Sequence, residues 1–219
     1  TFCPIIVTPA NLGADVVVHS LTKFINGASD TIAGSICGSE EFILSLMDLN
    51  QGALMLLGPT MDPRIAFTIS TRLPHLGLRI REHGRRALEM SRRLEEMKLP
   101  ITYPGLPSHP QHELYRTILN EGYGFGGLFL LDLGTTERAN IFMDYLQNKE
   151  RFGFMAVSLG FSETLMSCPG ISTSSELSED AKASAGIGPG FVRVSIGYTG
   201  SLEQRWEQLV RGLNHVGIR

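Results

Sequence analysis

The stretch that decides the fold is ADVVVHSLTKF, residues 14–24. Residues 14–18 form a short β-branched run, which is typical of a buried strand, and a polar turn rich in Ser, Thr, Asn and Gly follows. Lys23 lies in this turn, with the hydroxyls of Ser20 and Thr22 close by in sequence. A lysine held just past a buried strand can lose its proton and react with a carbonyl, and hydroxyls can bind a phosphate. The pattern favours a reactive amine at Lys23, although most lysines that follow a strand are structural or exposed.

The composition is that of an ordinary globular protein, with 219 residues, 42% hydrophobic and 19% charged. A net charge of −3 and a pI near 6.1 give no basic field, so we expect no nucleic-acid partner. Cys3, Cys37 and Cys168 are odd in number and far apart, which indicates reduced cysteines and a cytoplasmic protein. No apolar run is long enough to span a membrane. The chain begins without a start methionine, so we expect it to be a fragment.

Strand-like and helix-like patterns alternate along the chain and predict an α/β fold. Pro74 should split a long helical stretch, and we place a domain boundary there, between residues 1–74 and 75–219. Six arginines within residues 79–93 are interpreted as a solvated helix face. Strands are predicted at residues 14–18, 31–37, 101–103, 127–133, 154–158 and 191–196, and helices at 40–47, 61–97, 136–147, 179–185 and 202–216.

The longer string ADVVVHSLTKFINGASD, residues 14–30, closely resembles the cofactor-lysine signature of the Cys/Met-metabolism pyridoxal-phosphate enzymes. The resemblance returns near the C-terminus and covers essentially the whole chain. It implies an aspartate-aminotransferase-like fold (PLP fold type I), with residues 1–74 as the end of the large cofactor-binding domain and residues 75–219 as the small C-terminal domain. It also implies that Lys23 carries pyridoxal 5′-phosphate as a Schiff base and shuttles protons. Ala28 departs from the family, which usually has histidine there, and we expect this change to tune the site.

The same resemblance implies roles for further residues. Ser20 and Thr22 would contact the cofactor phosphate. Ser158, in a Ser-Leu-Gly segment, resembles the family's residue near the substrate, and Arg193, in VRVSIG, resembles the arginine that binds the α-carboxylate. A planar guanidinium can bind both carboxylate oxygens, which suits Arg193 to that role. The family's pyridine-binding aspartate, its stacking aromatic and its phosphate loop would lie upstream of residue 1.

Within the family, segments such as residues 56–61, 107–112 and 152–158 are similar to the plant-type methionine γ-lyases. This similarity implies a PLP-dependent lyase that converts L-methionine into methanethiol, 2-oxobutanoate and ammonia. The alternative in the same family is cystathionine γ-synthase or a cystathionine lyase. The alternative of another class is a non-catalytic fragment that acts as a fold or interaction module. The family further implies methionine catabolism or transsulfuration and a homotetramer built as a dimer of dimers, and we expect the 219 residues alone to be inactive.

Two other motifs are interpreted as structural. His109 and His112 could form a metal pair, but Pro110 lies between them and no cysteine or carboxylate cluster accompanies them, so no metal site is predicted. Residues 122–127, GYGFGG, are superficially similar to a phosphate loop. They precede a strand instead of lying between a strand and a helix, and they therefore predict a turn.

Overall fold

Helices and strands alternate along the chain, as the sequence predicts, and the computed structural model describes residues 3–218. The helices are α1 (Glu40–Leu46), α2 (Ala53–Leu57), α3 (Pro63–Arg72), α4 (Leu76–Glu96), α5 (His112–Ile118), α6 (Thr136–Asn148), α7 (Glu179–Ser184) and α8 (Leu202–His215). The strands are β1 (Val17–Ser20), β2 (Gly34–Cys37), β3 (Ile101–Thr102), β4 (Leu128–Asp132), β5 (Gly153–Met155), β6 (Thr164–Ser167) and β7 (Phe191–Ser195).

A five-stranded sheet of order β3-β4-β7-β6-β5 forms the larger part of the fold. Its neighbouring strands are antiparallel except for the β5–β6 pair, which is parallel. The inner residues of β4 and β7 pack with α4, α6 and α8 into one hydrophobic core, which contains Met90, Phe129, Phe142, Val194 and Leu213. The burial of these apolar surfaces supplies the main driving force for this half of the fold.

The second, smaller sheet is the antiparallel pair β1–β2, in which Ser20 lies opposite Gly34. The chain leaves β1 through a short helical turn, Leu21–Ile25, which delivers Phe24 and Ile25 to a separate hydrophobic cluster. Ile69 from α3 and Ile80 from α4 complete that cluster. The turn that holds Lys23 is therefore anchored by the two buried apolar residues that directly follow the lysine.

Helix α4 connects the two cores, since its first turns pack with Phe24 and its later turns pack under the large sheet. The interpretation of its arginines as a solvated face is wrong for Arg79 and Arg86, which are only 8% and 6% exposed. Both donate to backbone carbonyls of other segments, which compensates the burial of their charge. Pro74 does divide the helical stretch, because α3 ends at Arg72 and α4 begins at Leu76.

Candidate active site

Lys23 lies in the Leu21–Ile25 turn and interrupts its helical geometry, with φ −88° and ψ −127°. The backbone N–H of Gly27 donates to the Lys23 carbonyl at 2.8 Å, and this bond ends the turn. Gly27 has φ +75°, a left-handed conformation that glycine adopts without strain. The sequence Phe-Ile-Asn-Gly after Lys23 thus supplies two buried anchors and a glycine stop for the turn.

The Lys23 amine donates a hydrogen bond to Ser158 Oγ at 2.9 Å, across 135 residues of sequence. Ser158 lies in the loop between β5 and β6, and both side chains belong to half-buried residues. The partner is a neutral hydroxyl, and no salt bridge ties Lys23 to a carboxylate of residues 3–218. Such an amine is not committed to an ion pair and can serve as a base or a nucleophile.

Arg193, in the middle of β7, contacts the same serine from the other side. Its Nη2 donates to the backbone carbonyl of Ser158 at 3.0 Å. Its Nε is buried and has no hydrogen-bond partner within the part of the chain that the structure describes. Burial lowers the pKa of Arg193 from its ordinary value, because water is partly excluded from the guanidinium. A buried cationic N–H without a partner is a ready binding site for a small anion such as a carboxylate.

The loop that carries Ser158 is held tightly between the lysine turn and β7. The Gly160 N–H donates to Ser195 Oγ at 2.9 Å. Gly160 has φ +78°, and a Cβ there would lie 2.5 Å from the backbone nitrogen of Phe24. Only glycine allows the two segments to approach this closely, so Gly160 brings Ser158 to Lys23.

The two predicted phosphate contacts both precede Lys23 in the sequence, and their hydroxyls differ in availability. Ser20 is the last residue of β1, is half-buried, and does not use its side chain to cap the following turn. The Thr22 hydroxyl donates to the Ala33 carbonyl at 3.2 Å and accepts from the Ala33 N–H at 3.0 Å. Thr22 therefore fastens the lysine turn to the residue before β2. The phosphate roles of both residues stay predictions.

Sequence reasoning missed several residues that hold the site together. Arg72 pairs with the Asp30 carboxylate at 2.7 Å and also contacts the Asn26 side chain, which fixes the loop after Lys23. The hydrogen bond from Arg72 holds the pKa of Asp30 well below its usual range. His83 is fully buried, contacts the Phe24 ring edge-on, and has its Nδ1 2.6 Å from the Ile196 carbonyl.

A sequence signal for these buried residues exists in α4. The apolar stripe of that helix recurs at positions 76, 80, 87, 90 and 94, and His83 occupies the gap in the stripe. A polar residue inside such a stripe has to be buried and hydrogen-bonded. The spacing could therefore have identified His83 as a buried residue of α4, and it would have drawn attention to Arg79 one turn earlier in the same helix.

Residues 3–218 lack two features that other functions would need. No helix is long and apolar enough to cross a membrane. No group of three or more His, Cys, Asp or Glu side chains could hold a metal ion. His112, the first residue of α5, has its Nδ1 2.8 Å from the Pro104 carbonyl and its ring stacked on Phe125.

Comparison with known proteins agrees with this geometry. A family model described as Cys/Met metabolism PLP-dependent enzyme matches residues 1–204. Methionine gamma-lyase of Arabidopsis thaliana is 57% identical over 208 residues, which are 95% of this chain and 47% of that protein. L-methionine gamma-lyase of Porphyromonas gingivalis is 34% identical over 98% of this chain and 51% of its own length. The chain belongs to the Cys/Met-metabolism PLP-dependent enzyme family, and the resemblance found in the sequence is confirmed.

A solved structure supports the fold in the same way. The crystal structure of cystathionine gamma synthase from Xanthomonas oryzae pv. oryzae in complex with cystathionine superposes with a TM-score of 0.88 at 32% identity, and the match covers 99% of this chain. It covers 54% of that protein. The prediction of an α/β fold of PLP fold type I is confirmed, and the chain spans about half the length of the relatives it matches.

Proposed function

We propose that the full-length protein is a pyridoxal-phosphate-dependent lyase that converts L-methionine and water into methanethiol, 2-oxobutanoate and ammonia. The observation that carries this proposal is the shared use of Ser158, whose hydroxyl accepts from Lys23 at 2.9 Å and whose carbonyl accepts from Arg193 at 3.0 Å. A proton-transfer group and a carboxylate anchor thus lie within the span of one residue. The choice of methionine is supported by 57% identity with the Arabidopsis methionine gamma-lyase.

The described residues fit pyridoxal phosphate. When bound, this cofactor supplies an electron sink that stabilises negative charge on the α-carbon of an amino acid. Lys23 would hold it through its amine, whose one bond to the described residues is to a neutral hydroxyl. Ser20 would donate to the phosphate. Thr22 would also donate to the phosphate, in place of the hydrogen bond that its hydroxyl donates to the Ala33 carbonyl.

The residues of this chain would then share the work of the reaction. Arg193 binds the substrate α-carboxylate through its unpartnered Nε, while the Ser158 carbonyl fixes the plane of the guanidinium. Lys23 Nζ, as a free amine, would take the proton from Cα. Loss of the thiolate from Cγ would also require removal of a proton from Cβ, and a proton delivered to the sulfur would give methanethiol. Ser158 Oγ, which accepts from the lysine amine, would hold that amine beside the carboxylate site.

We further propose residues 1–74 as the end of a large cofactor-binding domain and residues 75–219 as the small C-terminal domain of a cytoplasmic homotetramer, a dimer of dimers, that acts in methionine catabolism or transsulfuration. The exposed apolar surface around the small sheet supports a larger assembly. Ile32 is 88% exposed and Leu57 81% exposed, and an apolar groove of about 560 Å³ lies near Ile32 and Met61. Contiguous apolar surface of this kind usually lies against more protein.

The test compares Lys23→Ala with the wild type and with Lys149→Ala, a change at an exposed lysine, all in the full-length protein. We expect Lys23→Ala to lose the visible absorbance of bound cofactor and the release of 2-oxobutanoate from methionine, and Lys149→Ala to keep both. Unchanged turnover in Lys23→Ala would refute the role of Lys23.

The same assay separates the alternatives. Turnover of cystathionine, or of O-activated homoserine with cysteine, without turnover of methionine would favour a cystathionine lyase or cystathionine γ-synthase. A full-length wild type that binds no cofactor would favour the non-catalytic module.

A further inference from the structure

We propose that Arg79 is a positioning residue that clamps the turn carrying Lys23 and so sets the orientation of the lysine for cofactor attachment. This inference rests on the proposed function of Lys23. Arg79 Nη1 donates to the Phe24 carbonyl at 2.7 Å, and Nη2 donates to the Ile25 carbonyl at 2.8 Å. These are the carbonyls of the two residues that directly follow Lys23. One planar guanidinium therefore grips two successive peptide groups of the turn.

The turn needs such an external clamp because it is not a regular helix. Lys23 departs from helical geometry, at φ −88° and ψ −127°, so the peptide groups around it cannot all be satisfied by a helical ladder. Phe24 and Ile25 are both 4% exposed, which leaves water little access to their carbonyls. Removing the guanidinium would leave two buried acceptors without their charged donor, and the backbone next to Lys23 would have to rearrange.

The clamp is itself held in place. Arg79 Nε donates to His75 Nδ1 at 3.0 Å, and Nη2 also lies 3.3 Å from the Arg72 carbonyl. Gly27 lies directly against the guanidinium, since a Cβ at Gly27 would come within 2.1 Å of Arg79 Nη1. The absence of a side chain at Gly27 thus makes room for Arg79. The arrangement is a built socket for one arginine, on the first turns of α4.

The chain offers a matched control on the same helix. Arg86 is as buried as Arg79, and it likewise donates to two backbone carbonyls, those of Thr199 and Gly200, at 3.1 and 2.7 Å. Those carbonyls follow β7 and do not belong to the lysine turn. Arg79 and Arg86 therefore share burial, helix and a pair of bonds to backbone carbonyls. They differ in the loop that they hold and in the partner of Nε, which is His75 for Arg79 and the Glu82 carboxylate for Arg86.

The experiment uses the full-length holoprotein and its Arg79→Lys, Arg86→Lys and His75→Ala variants. It measures the Kd for pyridoxal phosphate, the visible circular dichroism per bound cofactor, and Tm. A lysine can replace only one of the two carbonyl contacts. Arg79→Lys should therefore raise the Kd about tenfold, from the loss of one charge-assisted hydrogen bond. It should also reduce the visible ellipticity per bound cofactor, because the orientation of Lys23 is no longer fixed. Arg79→Lys and Arg86→Lys should lower Tm by similar amounts, but Arg86→Lys should keep the wild-type Kd and ellipticity.

Wild-type Kd and ellipticity in Arg79→Lys would overturn the inference, and so would an equal loss of both in Arg86→Lys. If Arg79→Lys does not fold, His75→Ala decides, because His75 is exposed and its removal only loosens Arg79: a weakened ellipticity supports the clamp, and a wild-type value overturns it. A wild type that binds no cofactor at Lys23 would overturn the proposed function and the clamp together. A wild type that does bind it, with an insensitive Arg79, would overturn the clamp alone.

Discussion

Replacement of Arg193 tests the carboxylate site most directly. The structure leaves Nε buried and unpartnered, and Nη2 already bound to the Ser158 carbonyl. A carboxylate that binds this guanidinium gains two charge-assisted hydrogen bonds of about 1.5–3 kcal/mol each. Arg193→Leu removes both, so kcat/KM for methionine should fall roughly a hundredfold to about twenty-thousandfold. Arg193→Lys keeps the charge but loses the planar pair of N–H donors, and kcat/KM should fall about tenfold to hundredfold.

The assay follows 2-oxobutanoate release against methionine concentration, with Arg138→Leu as a control at an exposed arginine. A second measurement separates carboxylate binding from general damage to the site. The amine 3-(methylthio)propylamine has the side chain of methionine without its carboxylate, so its inhibition constant should be the same in the wild type and in Arg193→Leu. An equal weakening of methionine and of this amine would refute the reasoning, since it would show that Arg193 only maintains the loop.

Two further predictions concern the contacts around the lysine turn. Gly160→Ala places a Cβ 2.5 Å from the Phe24 nitrogen, on a residue with φ +78°. Gly134→Ala is the control, because Gly134 has a similar φ of +83° and its Cβ would meet no atom within 4 Å. In urea unfolding Gly160→Ala should be less stable than Gly134→Ala by about 1–3 kcal/mol, and equal stability would contradict the close approach. Burial lowers the pKa of His83 from 6.5 to about 4, so the folded state favours the neutral ring. This contribution to the free energy of unfolding is complete above pH 6.5 and is lost as the pH falls toward 4, by about 3 kcal/mol in total. The urea midpoint should therefore drop more between pH 7 and pH 4.5 in the wild type than in His83→Gln. Parallel drops in the two proteins would contradict the lowered pKa of His83.

The sequence predicts the elements whose periodicity is local. The alternation of β4 and the amphipathic repeats of α6 and α8 lie within one or two residues of their predicted bounds. Ser39 is the residue before the predicted helix at 40–47, and its hydroxyl caps α1 by accepting from the Phe42 N–H at 3.2 Å. Each of these signals depends only on neighbours along the chain, which is why no tertiary information was needed.

Elements whose pattern depends on their surroundings were not predicted. Strand β6 has four buried residues, Thr164–Ser167, and so lacks the alternation of a half-exposed strand. The strand expected at residues 154–158 ends at Met155, and this leaves Ser158 in a loop where it can meet Lys23. Helices α2 and α5 are short and have no fully buried face, so their apolar spacing carries little signal.

The candidate site likewise combines residues that the sequence could indicate with contacts that depend on the tertiary structure. Lys23, Ser158 and Arg193 were predicted through family resemblance, since an isolated lysine, serine or arginine has no distinctive pattern. Their meeting could not be predicted from spacing, because Ser158 lies 135 residues from Lys23 and 35 from Arg193. Arg79 was misread as solvated because a charged residue is usually exposed, and only the backbone of the lysine turn reveals why it is buried.

The shared serine also limits which substrates suit the site. Lys23 Nζ and Arg193 Nη2 bind two atoms of one residue, at 2.9 and 3.0 Å, so the separation between base and carboxylate anchor is set by the size of Ser158. In an α-amino acid the carbon that loses its proton is bonded directly to the carboxylate, and this short spacing matches that geometry. A β-amino acid carries its amine one carbon further away and would place the reacting carbon away from Lys23. With the proposed roles of Lys23 and Arg193, the position of Ser158 would favour α-amino acids, while the choice of side chain would depend on other residues.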